Sequence, residues 1–305
     1  MKRDFLRFTD LTAKEIDLLL KKSLQVKRRW QKGIAYTPLV GKSLGLIFDK
    51  PSTRTRVSFE VAMTHLGGHA LYLDPGTTQI KRGESIADSA RVLSRYFDGL
   101  VLRTFAQRTI EEWAQWASIP VINGLTDLLH PCQVFCDLLT ILEKKGTYQG
   151  LKIAYIGDGN NMANTWIEAA SLIDINLSLA CPSGYQPDAA ILGEAKKKGA
   201  AIKISTDPFL AAEKADVLYT DVWASMGQER ERKKRLQHFQ GFQINAAVLR
   251  QAKKEALVMH CLPAHPGEEI TAEVLNGPQS IVFDQAENRL HGQKILLTYF
   301  LKGKL

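Results

Sequence analysis

Cysteine is scarce in this chain: Cys132, Cys136, Cys181 and Cys261 stand among 305 residues, with no CxxC pair. That excludes a disulfide framework and a zinc ribbon. No run of about 18 uninterrupted apolar residues occurs, so no membrane-spanning helix is expected. The first ten residues interrupt their apolar positions with Asp4, Arg7 and Asp10, unlike the apolar stretch of a secretory signal. A cytoplasmic location is the expectation. Internal repeats, low-complexity tracts and long linkers are missing as well.

Against these absences stand 45% hydrophobic and 24% charged residues, the balance of a soluble globular chain. A length of 305 exceeds one typical core, so two domains of about 150 residues each are expected. The net charge of +8 fits either a nucleic-acid partner or an anionic substrate. The densest basic run, Arg230-Glu-Arg-Lys-Lys-Arg235, contains a glutamate and no aromatic ring on which bases could stack. It reads as a solvated helix face, and no nucleic-acid partner is expected.

Short apolar runs alternate with segments of helical period. Strands are expected near Ser43–Phe48, Ala70–Leu73, Leu100–Leu102 and Pro120–Ile122. Helices are expected near Ala13–Arg29, Thr55–Leu66, Ile86–Phe97 and Gln107–Ala117, with another from Pro131 to Gly146. The pattern restarts at Leu151–Ile156 and continues through strands near Leu177–Ala180, Ala201–Ile204, Val217–Tyr219, Leu257–Met259 and Ile281–Phe283. A helix near Lys294–Leu301 closes the chain. This alternation implies an α/β fold of two domains, each a mainly parallel sheet flanked by helices on both faces. The expected boundaries are residues 1–146 and 151–285, followed by a C-terminal helical segment, 286–305, packing back on the first domain.

Ligands of open α/β sheets bind beyond the carboxyl ends of the strands, so those positions carry the functional reading. Pro51-Ser-Thr-Arg-Thr-Arg56 follows the first strand and opens a helix. A helix cap needs one hydroxyl; three hydroxyls alternating with two arginines make an anion cradle suited to phosphate. Arg103-Thr104 adds a cation at the same edge. His130-Pro-Cys-Gln133 precedes a helix, and its histidine fits a capping or core role as well as a donor to a carbonyl oxygen. Cys132 and Cys136 lie one helical turn apart without further zinc-spaced ligands.

In the second half, Gly157-Asp-Gly-Asn-Asn-Met162 has Met162 where a dinucleotide fingerprint needs glycine, so Asn160 and Asn161 read better as amide donors to a carboxylate. Asp221-Val-Trp-Ala-Ser-Met-Gly227 fits an ammonium-pairing loop or an ordinary surface loop. Within His260-Cys-Leu-Pro-Ala-His265, Cys261 fits a nucleophile, a zinc ligand or a packed thiol.

Together these segments, which span essentially the whole chain, resemble the transcarbamylases. Ser52-Thr-Arg-Thr-Arg56 and His130-Pro-Cys-Gln133 resemble their carbamoyl phosphate motifs. Asp221 with Ser225-Met-Gly227, and His260-Cys-Leu-Pro263, resemble the motifs of the ornithine branch. The aspartate branch carries leucine in place of Cys261 and arginine in place of Ala264. The resemblance implies carbamoyl transfer from carbamoyl phosphate to the side-chain amine of L-ornithine, giving citrulline for arginine biosynthesis.

It further implies that Ser52, Thr53, Arg54, Thr55 and Arg103 hold the phosphate. Thr55, Arg103 and His130 would face the carbonyl oxygen, while Gln133 and the Leu262 carbonyl would hold the carbamoyl NH2. The Leu262-Pro263 bond is expected to be cis, and Arg289 to approach from the C-terminal segment. Asn161 and Met226 are implied for the ornithine carboxylate, Asp221 and Ser225 for its α-ammonium, and Cys261 beside the reacting amine. Gln79 would reach a neighbour's site in a homotrimer; nearby Lys81 stands where glycine is common in the bacterial enzymes. No cofactor or metal is implied, since phosphate is already a good leaving group.

Overall fold

The computed structural model describes residues 2–74, 76, 83–224 and 231–303. Two compact units emerge: Met1–Glu143 with Glu287–Leu305, and Lys144–Ala286.

In the first unit, α1 (Ala13–Gln31) opens on a capping box in which Thr12 and Glu15 satisfy each other's backbone N–H. Then come β1 (Ser43–Phe48), α2 (Thr53–His65), β2 (His69–Leu73), α3 (Ile86–Leu93), β3 (Gly99–Arg103), α4 (Gln107–Trp116), β4 (Val121–Leu125) and α5 (Pro131–Lys145). The strands form one parallel sheet in the order β2-β1-β3-β4. β1 and β3 are buried nearly throughout, as expected for central strands covered on both faces. Ile47, Leu100, Leu102, Ile110, Trp113 and Val121 share one core cluster on this sheet.

The second unit contains β5 (Lys152–Ile156), α6 (Asn161–Ala170), β6 (Asn176–Ala180), α7 (Ala189–Lys197), β7 (Ile202–Ser205), α8 (Pro208–Ala212) and β8 (Val217–Thr220). α9 (Arg232–His238), α10 (Ala246–Leu249), β9 (Leu257–His260) and α11 (Ala272–Leu275) follow. Its sheet is again parallel, ordered β7-β6-β5-β8-β9. Ala154, Ile156, Leu218, Trp223, Phe239 and Val258 belong to its core cluster.

The last expected strand is not one. Ser280 makes only an isolated bridge to Val258, and Val282 begins α12 (Val282–Lys302), a 21-residue helix. A short apolar run such as Ile281-Val-Phe283 has no periodicity to separate strand from helix. The helical segment expected at 286–305 therefore begins four residues early, and its first half carries no apolar period because it buries polar groups, including Asn288, Arg289, Gln293 and Lys294. Gly292 lets this helix approach α5: a Cβ there would lie 2.6 Å from Cys136 Sγ.

In each sheet the strand order reverses once, between β1 and β3 and between β5 and β8. The carboxyl edge at such a switch point is where neighbouring connections diverge to opposite faces and leave a crevice.

Candidate active site

The first switch point brings together the end of β1, the start of α2 and the end of β3. Ser52 caps α2, accepting the Thr55 N–H at 3.4 Å, and the first turn contains no acidic residue. The positive end of the helix is therefore left for an external anion. Thr53 and Arg54 are exposed there, Ser52 is half-buried, and Thr55 is buried. Arg56 departs from the expected cradle. It pairs with Glu60 at 2.9 Å and stacks over Tyr72, because its position one turn into the helix turns it toward β2.

Arg103, at the end of β3, is buried, as are His130 and Gln133 at the start of α5. Arg289 of α12 donates to Thr55 Oγ1 at 3.1 Å and to Gln133 Oε1, while Gln133 Nε2 donates to Asp137 at 2.8 Å. Burial, with the positive charges of Arg289 and Arg103, holds the His130 imidazole well below its ordinary value of 6.5. A neutral ring offers one N–H donor without adding a third charge. Burial pushes the Cys132 thiol up to about 12 and raises the Cys136 thiol well above its ordinary value, so both stay protonated packing groups. Sequence reasoning missed Lys50, buried just beyond β1 beside Asp127 and over the Phe105 ring. A lysine two residues past the end of a central strand was the available signal.

The second switch point gathers the ends of β5, β8 and β9. Asn160 caps α6, its Oδ1 accepting the Met162 N–H at 2.9 Å and its Nδ2 donating to Asp221 Oδ2 at 2.8 Å. The carboxylate it serves is thus the protein's own. Gly159 is required by packing, since a Cβ there would meet Gln186 and Pro187 backbone atoms at 2.3 Å. Asn161 stands at the first position of α6, half-buried.

Asp221 is buried, and its Oδ1 accepts the Val222 N–H at 2.8 Å and the Cys261 thiol at 2.9 Å. The carboxylate thus has a proton-bearing sulfur alongside it. Leu262 follows at φ 58, in the left-handed region that non-glycine residues rarely adopt, and the Leu262-Pro263 bond is cis. Among the described residues, two groups have donor atoms close enough for a metal ion: Asp221, His260 and Cys261, and His265, Glu268 and Glu269. In the first, both ring nitrogens of His260 already carry hydrogen bonds, which disfavours ligation. Gln79, Ser225 and Met226 lie outside the described residues.

Residues 3–143 match the model of the aspartate/ornithine carbamoyltransferase carbamoyl-P binding domain, and residues 149–300 that of the Asp/Orn binding domain. The chain belongs to the aspartate/ornithine carbamoyltransferase family. Among its carbamoyltransferase relatives is the ornithine carbamoyltransferase of Syntrophus aciditrophicus, 57% identical over 97% of this chain and 99% of that one. The solved ornithine carbamoyltransferase of Pyrococcus furiosus is similar with a TM-score of 0.94 at 48% identity, covering 99% of this chain and 98% of its own. That of Thermus thermophilus gives 0.90 at 44% identity, with 99% of each chain covered. The transcarbamylase resemblance and the two-domain α/β reading of the sequence both hold.

Proposed function

We propose that this chain transfers the carbamoyl group of carbamoyl phosphate to the side-chain amine of L-ornithine, yielding L-citrulline and phosphate. The observation that carries the acceptor side is the buried Asp221 carboxylate with the Cys261 thiol donating to it at 2.9 Å. A site for aspartate as acceptor calls for cations, whereas this one supplies an anion.

In this reading residues 1–146 bind carbamoyl phosphate and 151–285 bind ornithine. Ser52, Thr53, Arg54, Thr55 and Arg103 hold the phosphate at the α2 N-terminus. Thr55, Arg103 and neutral His130 donate to the carbonyl oxygen, where charge builds as the amine attacks. Gln133 Oε1, already accepting from Arg289, keeps a second lone pair for the carbamoyl NH2, and the Leu262 carbonyl takes its other hydrogen. Asn161 and Met226 receive the ornithine carboxylate, and Asp221 and Ser225 its α-ammonium.

The neutral side-chain nitrogen forms a bond to the carbonyl carbon, and the π electrons move to oxygen. Collapse breaks the carbon–oxygen bond to phosphate, which leaves with that electron pair. The surplus proton of the nitrogen passes to the departing phosphate, beside the Cys261 thiol, which keeps its own proton toward Asp221. Positioning and charge stabilisation supply the acceleration.

The same reading assigns the enzyme to arginine biosynthesis in the cytoplasm, as a homotrimer in which Gln79 serves a neighbouring subunit. No helix among the described residues is long and apolar enough to cross a membrane.

The test is citrulline formation from carbamoyl phosphate with a panel of acceptors. Ornithine is expected to turn over at least about a hundredfold faster than aspartate, putrescine or N-acetylornithine, because unpaired buried polar groups penalise analogues strongly. Comparable turnover of aspartate rejects the assignment.

A further inference from the structure

Cys261 and Leu262 leave β9 on a turn that a leucine does not adopt by preference, and the second unit contains a device that holds it there. The Leu262 N–H donates to His260 Nδ1 at 2.9 Å. A backbone N–H can only donate, so this nitrogen carries no proton, and the neutral ring bears its hydrogen on Nε2. That hydrogen points at Glu269 Oε1, 3.0 Å away, and both His260 and Glu269 are fully buried.

Glu269 is itself anchored. Its carbonyl accepts the Ile244 N–H at 2.9 Å, and its Oε1 also takes the His265 N–H at 2.5 Å. From the other side, the His260 N–H donates to Gln285 Oε1 at 2.9 Å.

We propose that Glu269 is a positioning residue. By holding His260 in its Nε2–H tautomer, it keeps Nδ1 as the acceptor that pins Leu262 in its left-handed turn. That turn fixes the Cys261 thiol and the Leu262 carbonyl for the reaction, a role that rests on the function proposed above. Without the carboxylate the imidazole is no longer biased, and the alternative tautomer sets two N–H groups against each other at Leu262.

Two pairs of variants separate positioning from simple packing. Glu269→Gln and His260→Asn keep an acceptor at the needed place; Glu269→Ala and His260→Leu remove it. In the acceptor-deleting variants kcat for citrulline is expected to fall about a hundredfold, the cost of a misplaced reacting group. KM for carbamoyl phosphate should rise by no more than about tenfold, because only the Leu262 contact to the carbamoyl NH2 is loosened while the phosphate grip belongs to the other unit. The acceptor-keeping variants should recover most of the loss.

The second readout needs no catalysis. Alkylation of Cys261 by iodoacetamide, followed by mass spectrometry, should run about tenfold faster in the acceptor-deleting variants as the thiol leaves Asp221. Should Glu269→Ala not fold, the His260 pair carries the same comparison. Folded acceptor-deleting variants with wild-type kcat and thiol reactivity overturn the proposal, as does equal loss in both members of each pair. Wild-type protein that makes no citrulline instead rejects the reaction assigned above, and thiol reactivity then decides whether Glu269 holds the turn.

Discussion

Arg289 joins three elements through two hydrogen bonds, reaching Thr55 at the start of α2 and Gln133 on α5 from its own place on α12. Asp221 does the same in the second unit, tied to Asn160 and Cys261 from different strand ends. Each group is therefore preset by its neighbours rather than by its own rotamer preference, the arrangement that electrostatic catalysis needs. The two sites should fail differently. Arg54→Ala removes a charged donor from the phosphate, so carbamoyl phosphate affinity should fall about ten- to a hundredfold and turnover with it. Cys261→Ala should raise KM for ornithine and lower kcat, each by roughly tenfold, while leaving carbamoyl phosphate affinity nearly intact. Equilibrium titration of both variants with carbamoyl phosphate is the check, and equal losses would contradict this division of labour.

At the scale of an element, α9 shows how a charged run can mislead. Arg232, Lys233 and Lys234 are exposed, as the solvated-face reading expects, but Arg235 is buried. It donates to Asp158 at 2.8 Å and to the Trp223 carbonyl at 2.9 Å, and it lies over the Tyr185 ring. Burial pushes the Asp158 carboxyl up to about 6, against the pull of the arginine. Because the folded state binds this proton more tightly than the unfolded chain, ionisation lowers stability as pH rises from about 4 to about 6. Removing Arg235 leaves the carboxylate unpaired and extends that loss to higher pH. Arg235→Leu should cost about 3 kcal/mol at pH 8 and clearly less near pH 5.5, where Asp158 can take up a proton. Urea unfolding at the two pH values measures it; an equal cost at both would show that the ion pair is not the source.

For the whole molecule, the two units repeat one plan, a parallel sheet with a single reversal of strand order and polar groups clustered at that edge. The assembly proposed above adds Gln79 from a neighbouring subunit. In a closed threefold ring every contact is head-to-tail, so each subunit serves one neighbour only. Suppose Gln79→Ala and Arg103→Ala each abolish activity alone. Mixing equal amounts and reassembling makes about three-quarters of the trimers mixed, each with one intact junction, so roughly a quarter of the sites should recover. Demonstrated subunit exchange without recovered citrulline formation would remove the shared site.

The amino-acid sequence by itself determined the alternation of strand and helix, nine of the ten expected strands, and the segments that end at the two switch points. These are local properties, since apolar runs, helix caps and motifs are contiguous in the chain. It did not determine the true start of α12, whose buried face is polar and so carries no hydrophobic period, nor the inward turn of Arg235. The Glu269–His260–Leu262 relay was likewise invisible, although all three residues lie within ten positions of one another. Tertiary structure decided each of these, because burial of a polar group and the partner that satisfies it depend on contacts brought together by folding.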